Sequence, residues 1–135
     1  PRIQRNLNNK RTMGSGEVGS KEIYLTLYNR AQNDLGHYFR SLYNILKFVD
    51  TSNVENKKLY TNIIRNILSN SELELLIYNG ASRHGKKKML PLLERYEFFD
   101  NLPLNSVAYK DVLTEYERRA FGQNEEILNH LITSP

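Results

Sequence analysis

A line of polar side chains that could bind or cleave a phosphate lies between positions 30 and 44. A step of about 100° per helical residue places Arg30, Asn33, His37, Arg40 and Asn44 on one face of a helix. His37 has the chemistry of a general base, and Arg40 could stabilise negative charge that develops in a transition state. The same residues could instead bind a phosphate or carboxylate, or form a solvated or inter-helix polar face.

The opposite side of this predicted helix is apolar. Its residues recur at three- and four-residue spacing, as in a helical stripe that faces a core: Tyr28, Ala31, Leu35, Tyr38, Phe39, Leu42, Leu46 and Val49. The pattern predicts one long helix from about Lys21 to Val49. Gly36 is its internal weakness, where a kink or the close approach of another helix is expected.

Two further groups of basic residues could join a site. Arg65 lies on the polar side of a second predicted helix and could reach His37 or Asn44, although an ion pair or a surface position is the commoner role of such an arginine. A compact basic cluster follows the third predicted helix and could contact phosphate or nucleic acid, or be a solvated loop; it comprises Arg83, His84, Lys86, Lys87 and Lys88.

Several classes of site lack the residues they require. The chain has no cysteine, which excludes disulfides, thiol nucleophiles and cysteine-ligated metals. Its three histidines are scattered and form no helical metal-binding pair, and no glycine-rich phosphate loop is present. We therefore expect no metal and no cofactor. Nor does the chain contain a run of about 18 apolar residues that could span a membrane.

Charge and composition divide the chain at about residue 20. Four of the basic residues against one acidic residue give residues 1–20 a charge of +3, which leaves +1 of the total +4 for residues 21–135. Residues 1–20 are rich in Asn, Gly and Ser and predict a flexible basic arm or linker. Residues 21–135 predict a single helical domain, and their near-neutral charge weakens the case for a nucleic-acid-binding protein.

Hydrophobic periodicity predicts an all-α fold, a compact bundle of about five to six helices that begins with a long helical hairpin. Ser69 and Glu72 have the spacing of a capping box, and the short apolar helix after them is expected at the centre of the bundle. Gly80 is expected to end that helix in a left-handed conformation, and Gly122 to end a later one. The expected helices are approximately Lys21–Val49, Val54–Leu68, Ser71–Tyr78, Lys87–Phe98, Ser106–Phe121 and Glu125–Ile132.

The motifs of residues 37–80 resemble those of a known family. They include His37-Tyr38-Phe39-Arg40, Asn62-Ile63-Ile64-Arg65, Leu68-Ser69-Asn70 and Tyr78-Asn79-Gly80. In these motifs the chain resembles the AbiC-like family of phage abortive infection proteins over about residues 24–102. The resemblance implies a bacterial, cytoplasmic phage-defence domain. It also implies an inner-membrane tether through hydrophobic segments that residues 1–135 do not contain.

Two functional hypotheses follow. In the first, which we favour, the domain is not an enzyme but a sensor or effector whose polar face, including His37 and Arg40, binds a phage or host protein. In the second, Arg30 and His37, with six residues between them, resemble the Arg-x4–6-His signature of HEPN ribonucleases, which are small all-α proteins and commonly dimers. That resemblance implies metal-independent RNA cleavage, with RNA as the substrate and a homodimer as the assembly.

Overall fold

The regular structure of the protein is helical throughout the described part of the chain. The computed structural model describes residues 20–104 and 110–133, and no strand occurs in those ranges. The predicted all-α fold is confirmed. Residues 1–19, which include nearly all of the predicted arm, lie outside the described ranges. The helices are α1 (Ser20–Arg30), α2 (Gln32–Thr51), α3 (Lys57–Ile67), α4 (Asn70–Ala81), α5 (Met89–Arg95) and α6 (Glu125–Thr133), with two 3-10 helices at Lys110–Glu115 and Arg118–Phe121.

The long first helix of the sequence prediction is two helices that meet at a sharp bend. Fifteen residues of uninterrupted helix would span about 22 Å. The rings of Tyr24 and Phe39, fifteen residues apart, nevertheless have centroids only 6.3 Å from each other. The bend lies at Ala31, where φ is −113° and ψ is 33°. Gly36, the expected weak point, is helical within α2.

The bend lets α1 pack against α4 at the centre of the fold. Tyr24 is only 1% exposed and its ring contacts those of Tyr28, Phe39 and Tyr78. Its hydroxyl accepts a hydrogen bond of 2.8 Å from Asn79 Nδ2, and burial raises the pKa of Tyr24 to about 12. Burial of this aromatic ring with a satisfied hydroxyl stabilises the bent arrangement.

The prediction that α4 is the most buried helix is confirmed. Leu76 and Ile77 are fully buried, and the helix begins with a complete capping box: the Glu72 N–H donates to Ser69 Oγ and the Ser69 N–H donates to Glu72 Oε1, both at 3.1 Å. The prediction for Gly80 is wrong. Gly80 is helical and does not have a positive φ, because α4 continues through it to Ala81.

The helix α3 contacts α2, as the predicted hairpin requires, but its apolar side is largely exposed. Thr61 and Arg65 are its buried residues, and Ile64 and Leu68 are partly buried. Helical periodicity predicts that the apolar side of this helix also packs on the core through four further residues. These residues are exposed instead: Leu59 (51%), Tyr60 (45%), Ile63 (50%) and Ile67 (75%). The predicted burial of this face is therefore wrong for those four residues.

Polar groups at the end of α5 explain this orientation of α3. Arg65 Nη1 donates to the Glu97 carbonyl at 3.2 Å, and Lys58 forms an ion pair with the Glu97 carboxylate. The Phe98 N–H donates to the Leu93 carbonyl, which is the 6→1 hydrogen bond of a Schellman motif. Glu97 occupies the left-handed position of that motif, with φ at 51°. The polar side of α3 thus packs on a polar turn.

The C-terminal part of the fold is less regular than predicted. The fourth predicted helix is shortened to Met89–Arg95, and the expected helix Ser106–Phe121 is represented by the two 3-10 helices, with residues 105–109 outside the description. Gly122 ends the second 3-10 helix at φ 53°, which confirms that prediction. The rings of Phe99, Tyr116 and Phe121 pack together and join this region to the core.

Candidate functional site

A cavity of about 340 Å³ opens between α2 and the loop 82–88 that follows α4. Its α2 wall consists of Gly36, Phe39, Arg40, Tyr43 and Asn44, and the rest of its lining comes from Tyr28, Asn79, His84, Lys88 and Met89. Residues from α1, α2, α4, α5 and the loop therefore form one concave site. The bend at Ala31 is what brings Tyr28, on α1, to this position.

Gly36 leaves space for two polar groups on the α2 wall. A Cβ atom at position 36 would lie 3.1 Å from the Tyr28 hydroxyl oxygen and 3.3 Å from Arg40 Nη1. Arg40 lies one turn after Gly36, and Asn44 one turn after Arg40, so these residues form a stripe along the helix. The close approach expected at Gly36 is therefore made by a side chain of another helix, Tyr28 of α1, and by Arg40 of α2 itself.

The loop 82–88 is held in place by Asn79 at the end of α4. Ser82 Oγ donates to the Asn79 carbonyl at 2.8 Å, and the His84 N–H donates to Ser82 Oγ at 3.2 Å. Gly85 lies so close that a Cβ there would be 2.4 Å from the Asn79 carbonyl oxygen. Because these contacts fix the loop backbone, they also fix the positions from which His84 and Lys88 extend.

His84 contributes an aromatic wall rather than a cation. Its ring stacks on that of Tyr28, with centroids 4.1 Å apart and an angle of 20° between the planes. Burial, with a smaller effect from the nearby charge of Arg83, lowers the pKa of His84 below its ordinary value of 6.5. The imidazole is therefore neutral at pH 7 and is able both to stack and to exchange a hydrogen bond.

The cavity carries positive charge that no described carboxylate neutralises. Arg40 and Lys88 both line it, and within residues 20–104 and 110–133 neither of them forms an ion pair. The lining residues include no Asp or Glu. An anion that entered the cavity would therefore meet two cations without first displacing an acidic side chain.

Asn79 is a cavity residue that reasoning from the sequence did not select. It is 3% exposed, and its side chain lies between the cavity and Tyr24, to which Nδ2 donates. The prediction assigned it to the end of a helix, since Asn-Gly is a common turn signal. Its place in the Tyr78-Asn79-Gly80 motif was the one signal that could have identified it.

The other residues of the predicted polar face lie outside the cavity. His37 is exposed and does not line it. Arg30 and Asn33 line a separate, more open depression at the bend, together with Asp34. The ribonuclease hypothesis assumed that one helix carries Arg30 and His37, but the bend at Ala31 puts Arg30 on α1 and His37 on α2. Only Arg40 and Asn44 of the predicted face belong to the cavity.

Arg65 is a structural residue and not a third member of the site. It is 9% exposed, donates to the Glu97 carbonyl at 3.2 Å and has Nη1 3.8 Å from Asp100 Oδ2. These partners belong to the turn after α5. Of the two roles considered for Arg65, the structure therefore shows the ion pair and not a contact with His37 or Asn44. The sequence did not show that the buried side of α3 would be the polar one.

The predicted basic cluster is divided by the fold. His84 and Lys88 line the cavity, whereas Arg83, Lys86 and Lys87 are exposed and do not. Lys86 Nζ instead lies 3.5 Å from Glu115 Oε2. Substitutions of Arg83, Lys86 or Lys87 can therefore serve as controls for substitutions of His84 and Lys88, which line the cavity.

Two features are absent from the described residues. They contain no group of three or more His, Asp or Glu side chains arranged to hold a metal ion. None of their helices combines the length and the apolar character that crossing a bilayer requires. What the described residues provide is a cationic, aromatic-lined cavity that suits recognition of an anion.

Comparison with known proteins supports the resemblance seen in the motifs. A family model described as "Putative phage abortive infection protein" matches residues 30–107. The matched range contains every residue of the cavity lining except Tyr28. Searches of curated proteins and of solved structures found no match.

Proposed function

The chain belongs to the putative phage abortive infection protein family, and on that premise we propose that it is a sensor or effector of bacterial phage defence that acts through the cavity between α2 and the loop 82–88. A phage or host molecule that appears on infection binds there and switches the protein to its active state. The domain operates in the cytoplasm. As the family resemblance implies, the domain works tethered to the inner face of the membrane.

One observation carries this proposal. Arg40 and Asn44 on α2, together with His84 and Lys88 on a loop some forty residues later, line one cavity inside the range that the family model matches. Among the described residues, no carboxylate pairs with either cation, whereas Lys58 and Arg65 do have such partners. Two cations in a concave, partly aromatic site favour ligand recognition over a structural role.

A plaque assay with the full-length protein tests the proposal. Arg40→Ala is expected to abolish phage protection while the melting temperature stays at the wild-type value, because Arg40 is exposed and has no described ion pair. His37→Ala is the matched control, since His37 lies on the same helix, is exposed and does not line the cavity. It is expected to keep full protection.

The same pair of variants distinguishes the ribonuclease alternative. Metal-independent RNA cleavage that uses Arg30 and His37 requires that His37→Ala lose both RNA cleavage and phage protection. If His37→Ala is inactive while Arg40→Ala protects normally, the cavity is not the functional site and the Arg30–His37 hypothesis replaces it. If wild type cleaves no RNA and His37→Ala protects normally, the ribonuclease hypothesis is excluded.

A further inference from the structure

We infer that the cavity between α2 and the loop 82–88 binds a mononucleotide, that is, a planar base on a ribose that carries phosphate. The inference rests on the proposed function in that it names the ligand class of the same site. Its test is a binding measurement on purified protein, so it can fail while the role of the cavity in defence stands. Charge, aromatic surface and size support it separately.

The charge of the cavity matches that of a phosphate monoester. Arg40 and Lys88 contribute two positive charges, and the neutral imidazole of His84 adds none. A phosphate monoester carries about −1.5 to −2 at pH 7. The planar fork of an arginine can bind two phosphate oxygens at once, and a lysine adds a compact point charge. A singly charged carboxylate would leave part of this positive charge unbalanced.

The aromatic lining suits a planar base. His84 is exposed with one face of its ring covered by Tyr28, and the partly exposed Tyr43 adds further ring surface. Stacking on such rings does not depend on base identity, since every base has a π-face. The amide of Asn44 can exchange hydrogen bonds with polar groups on a base or ribose. A bare sugar phosphate or inorganic phosphate would leave these rings uncovered.

The volume of the cavity favours a small ligand over a macromolecule. About 340 Å³ is near the lower end of the roughly 300–1,000 Å³ that small-molecule sites occupy. Single-stranded RNA is bound along extended positive grooves with a series of stacking rings. This cavity is a single concavity with two cations, which corresponds to one nucleotide unit.

Isothermal titration calorimetry with defined probes tests the ligand class. Adenosine 5′-monophosphate and guanosine 5′-monophosphate are expected to bind wild type, whereas adenosine, ribose 5-phosphate and inorganic phosphate bind at least about tenfold more weakly, since each lacks the charged or the stacking contact. If neither nucleotide binds at millimolar concentration, or if inorganic phosphate binds as tightly as the nucleotides, the inference is wrong.

Variants locate the binding. Arg40→Ala and Lys88→Ala are expected to weaken nucleotide binding about tenfold each, and Lys87→Ala, one residue away on the loop, not at all. His84→Ala weakens it similarly, and His84→Phe restores it because a ring is retained. Equal losses for Lys87→Ala and Lys88→Ala would show binding to a general basic surface and overturn the inference. Absence of nucleotide binding, with protection still lost in Arg40→Ala, would reject the ligand class alone.

A second inference comes independently from the exposed side of α3: we propose that a second copy of the chain covers it. Leu59, Tyr60, Ile63 and Ile67 fall within one 100° arc of the helix and at their exposures present roughly 400 Å² of apolar surface. A standard interface buries about 800 Å² per partner, of which a little more than half is apolar. The four residues therefore supply most of the apolar area that one partner buries in such an interface.

Charge does not oppose self-association at this face. Of the three cations of α3, Lys58 pairs with Glu97 and Arg65 Nη1 lies 3.8 Å from Asp100 Oδ2, while Lys57 Nζ donates to the Asp50 carbonyl. Two copies can therefore approach through α3 with two of its three cations already paired with carboxylates. A two-fold axis would place the same arc on both sides, as an isologous interface requires.

Sedimentation equilibrium over a range of concentrations tests this second inference. Wild type is expected to show a monomer–dimer equilibrium, and Ile63→Glu to be monomeric with its helix content unchanged. Ile132→Glu is the matched control, since Ile132 is 64% exposed on α6, and it is expected to dimerise normally. A wild type that is monomeric at every concentration, or an Ile63→Glu variant that dimerises as wild type does, would overturn the inference.

Discussion

Gly80 and Gly36 are both helical glycines, and the structure predicts opposite effects when alanine replaces them. At Gly80 an added Cβ would lie 2.2 Å from the Tyr116 hydroxyl oxygen and 2.9 Å from Leu93 Cδ1. Tyr116 cannot move aside, because its ring is buried and its hydroxyl donates to the Ile77 carbonyl at 2.8 Å. The methyl group of Gly80→Ala must therefore displace the core.

The expected cost at Gly80 is the sum of known effects. Overpacking of a core typically costs about 1–3 kcal/mol. Breaking the Tyr116–Ile77 hydrogen bond in a buried site adds about 1 kcal/mol. The higher helix propensity of alanine returns about 1 kcal/mol. Gly80→Ala should therefore lower the free energy of unfolding by about 2 kcal/mol and the melting temperature by roughly 8 °C.

Gly36→Ala should instead leave the free energy of unfolding unchanged or raise it by about 0.5 kcal/mol. The nearest atoms are the Tyr28 hydroxyl at 3.1 Å and Arg40 Nη1 at 3.3 Å, which are ends of side chains that can shift by a few tenths of an ångström. Because those atoms line the cavity, the same substitution should weaken ligand binding. Gly36→Ala should thus weaken ligand binding without lowering the free energy of unfolding.

Urea unfolding followed by circular dichroism measures both free energies. The double variant Gly80→Ala/Tyr116→Phe adds an internal check, because removing the hydroxyl relieves the closest contact. Its destabilisation should be smaller than the sum of the two single variants by about 1 kcal/mol or more. Strict additivity, or a larger loss of stability in Gly36→Ala than in Gly80→Ala, would refute the packing described around α4.

Two further predictions concern the turn after α5 and the end of α2. Glu97→Gly should be more stable than Glu97→Ala by about 1 kcal/mol in urea unfolding, since both lose the Lys58 ion pair but only glycine relieves the positive φ of 51°; equal stability would contradict this. For Asp50, burial alone would raise the pKa, but hydrogen bonds from Tyr96 and Arg95 outweigh it and lower the pKa below 3.8. This contribution to stability is present at neutral pH and is lost as the pH falls through the folded-state pKa, so the advantage of wild type over Asp50→Asn should shrink below about pH 4; an advantage that grows on acidification would contradict it.

Local signals in the sequence predicted local structure well. The three-residue spacing of Ser69 and Glu72 forms the capping box that it predicts, since both partners lie within one turn. The aromatic and aliphatic stripe of α2 is likewise buried at Phe39, Leu42 and Leu46, because helical periodicity alone determines which side chains share a face.

Long-range contacts determined what the sequence did not reveal. Alanine is the strongest helix former, so nothing local marks Ala31 as a bend. The bend accompanies the burial of Tyr24 against Phe39 of α2 and Tyr78 of α4, which lie 15 and 54 residues further along the chain. The inward polar side of α3 depends similarly on the Glu97 carbonyl, which lies 32 residues after Arg65.

The candidate site shows the same division. Helical periodicity selected Arg40 and Asn44 correctly as neighbours on a polar face, but could not distinguish them from His37, one turn earlier, which stays in solvent. Which residues of α2 line the cavity depends on the position of the loop 82–88, and periodicity does not predict that position. That loop also decides that His84 and Lys88, rather than the whole basic cluster, belong to the site.

The central claim is that the cavity between α2 and the loop 82–88 carries the defence function, and two adjacent lysines test it most directly. Lys88 lines the cavity and Lys87 does not, although both are exposed on the same basic loop. In a plaque assay with the full-length protein, Lys88→Ala should give as many plaques as cells without the protein, and Lys87→Ala as few as wild type. Protection by Lys88→Ala equal to that of wild type would contradict the claim.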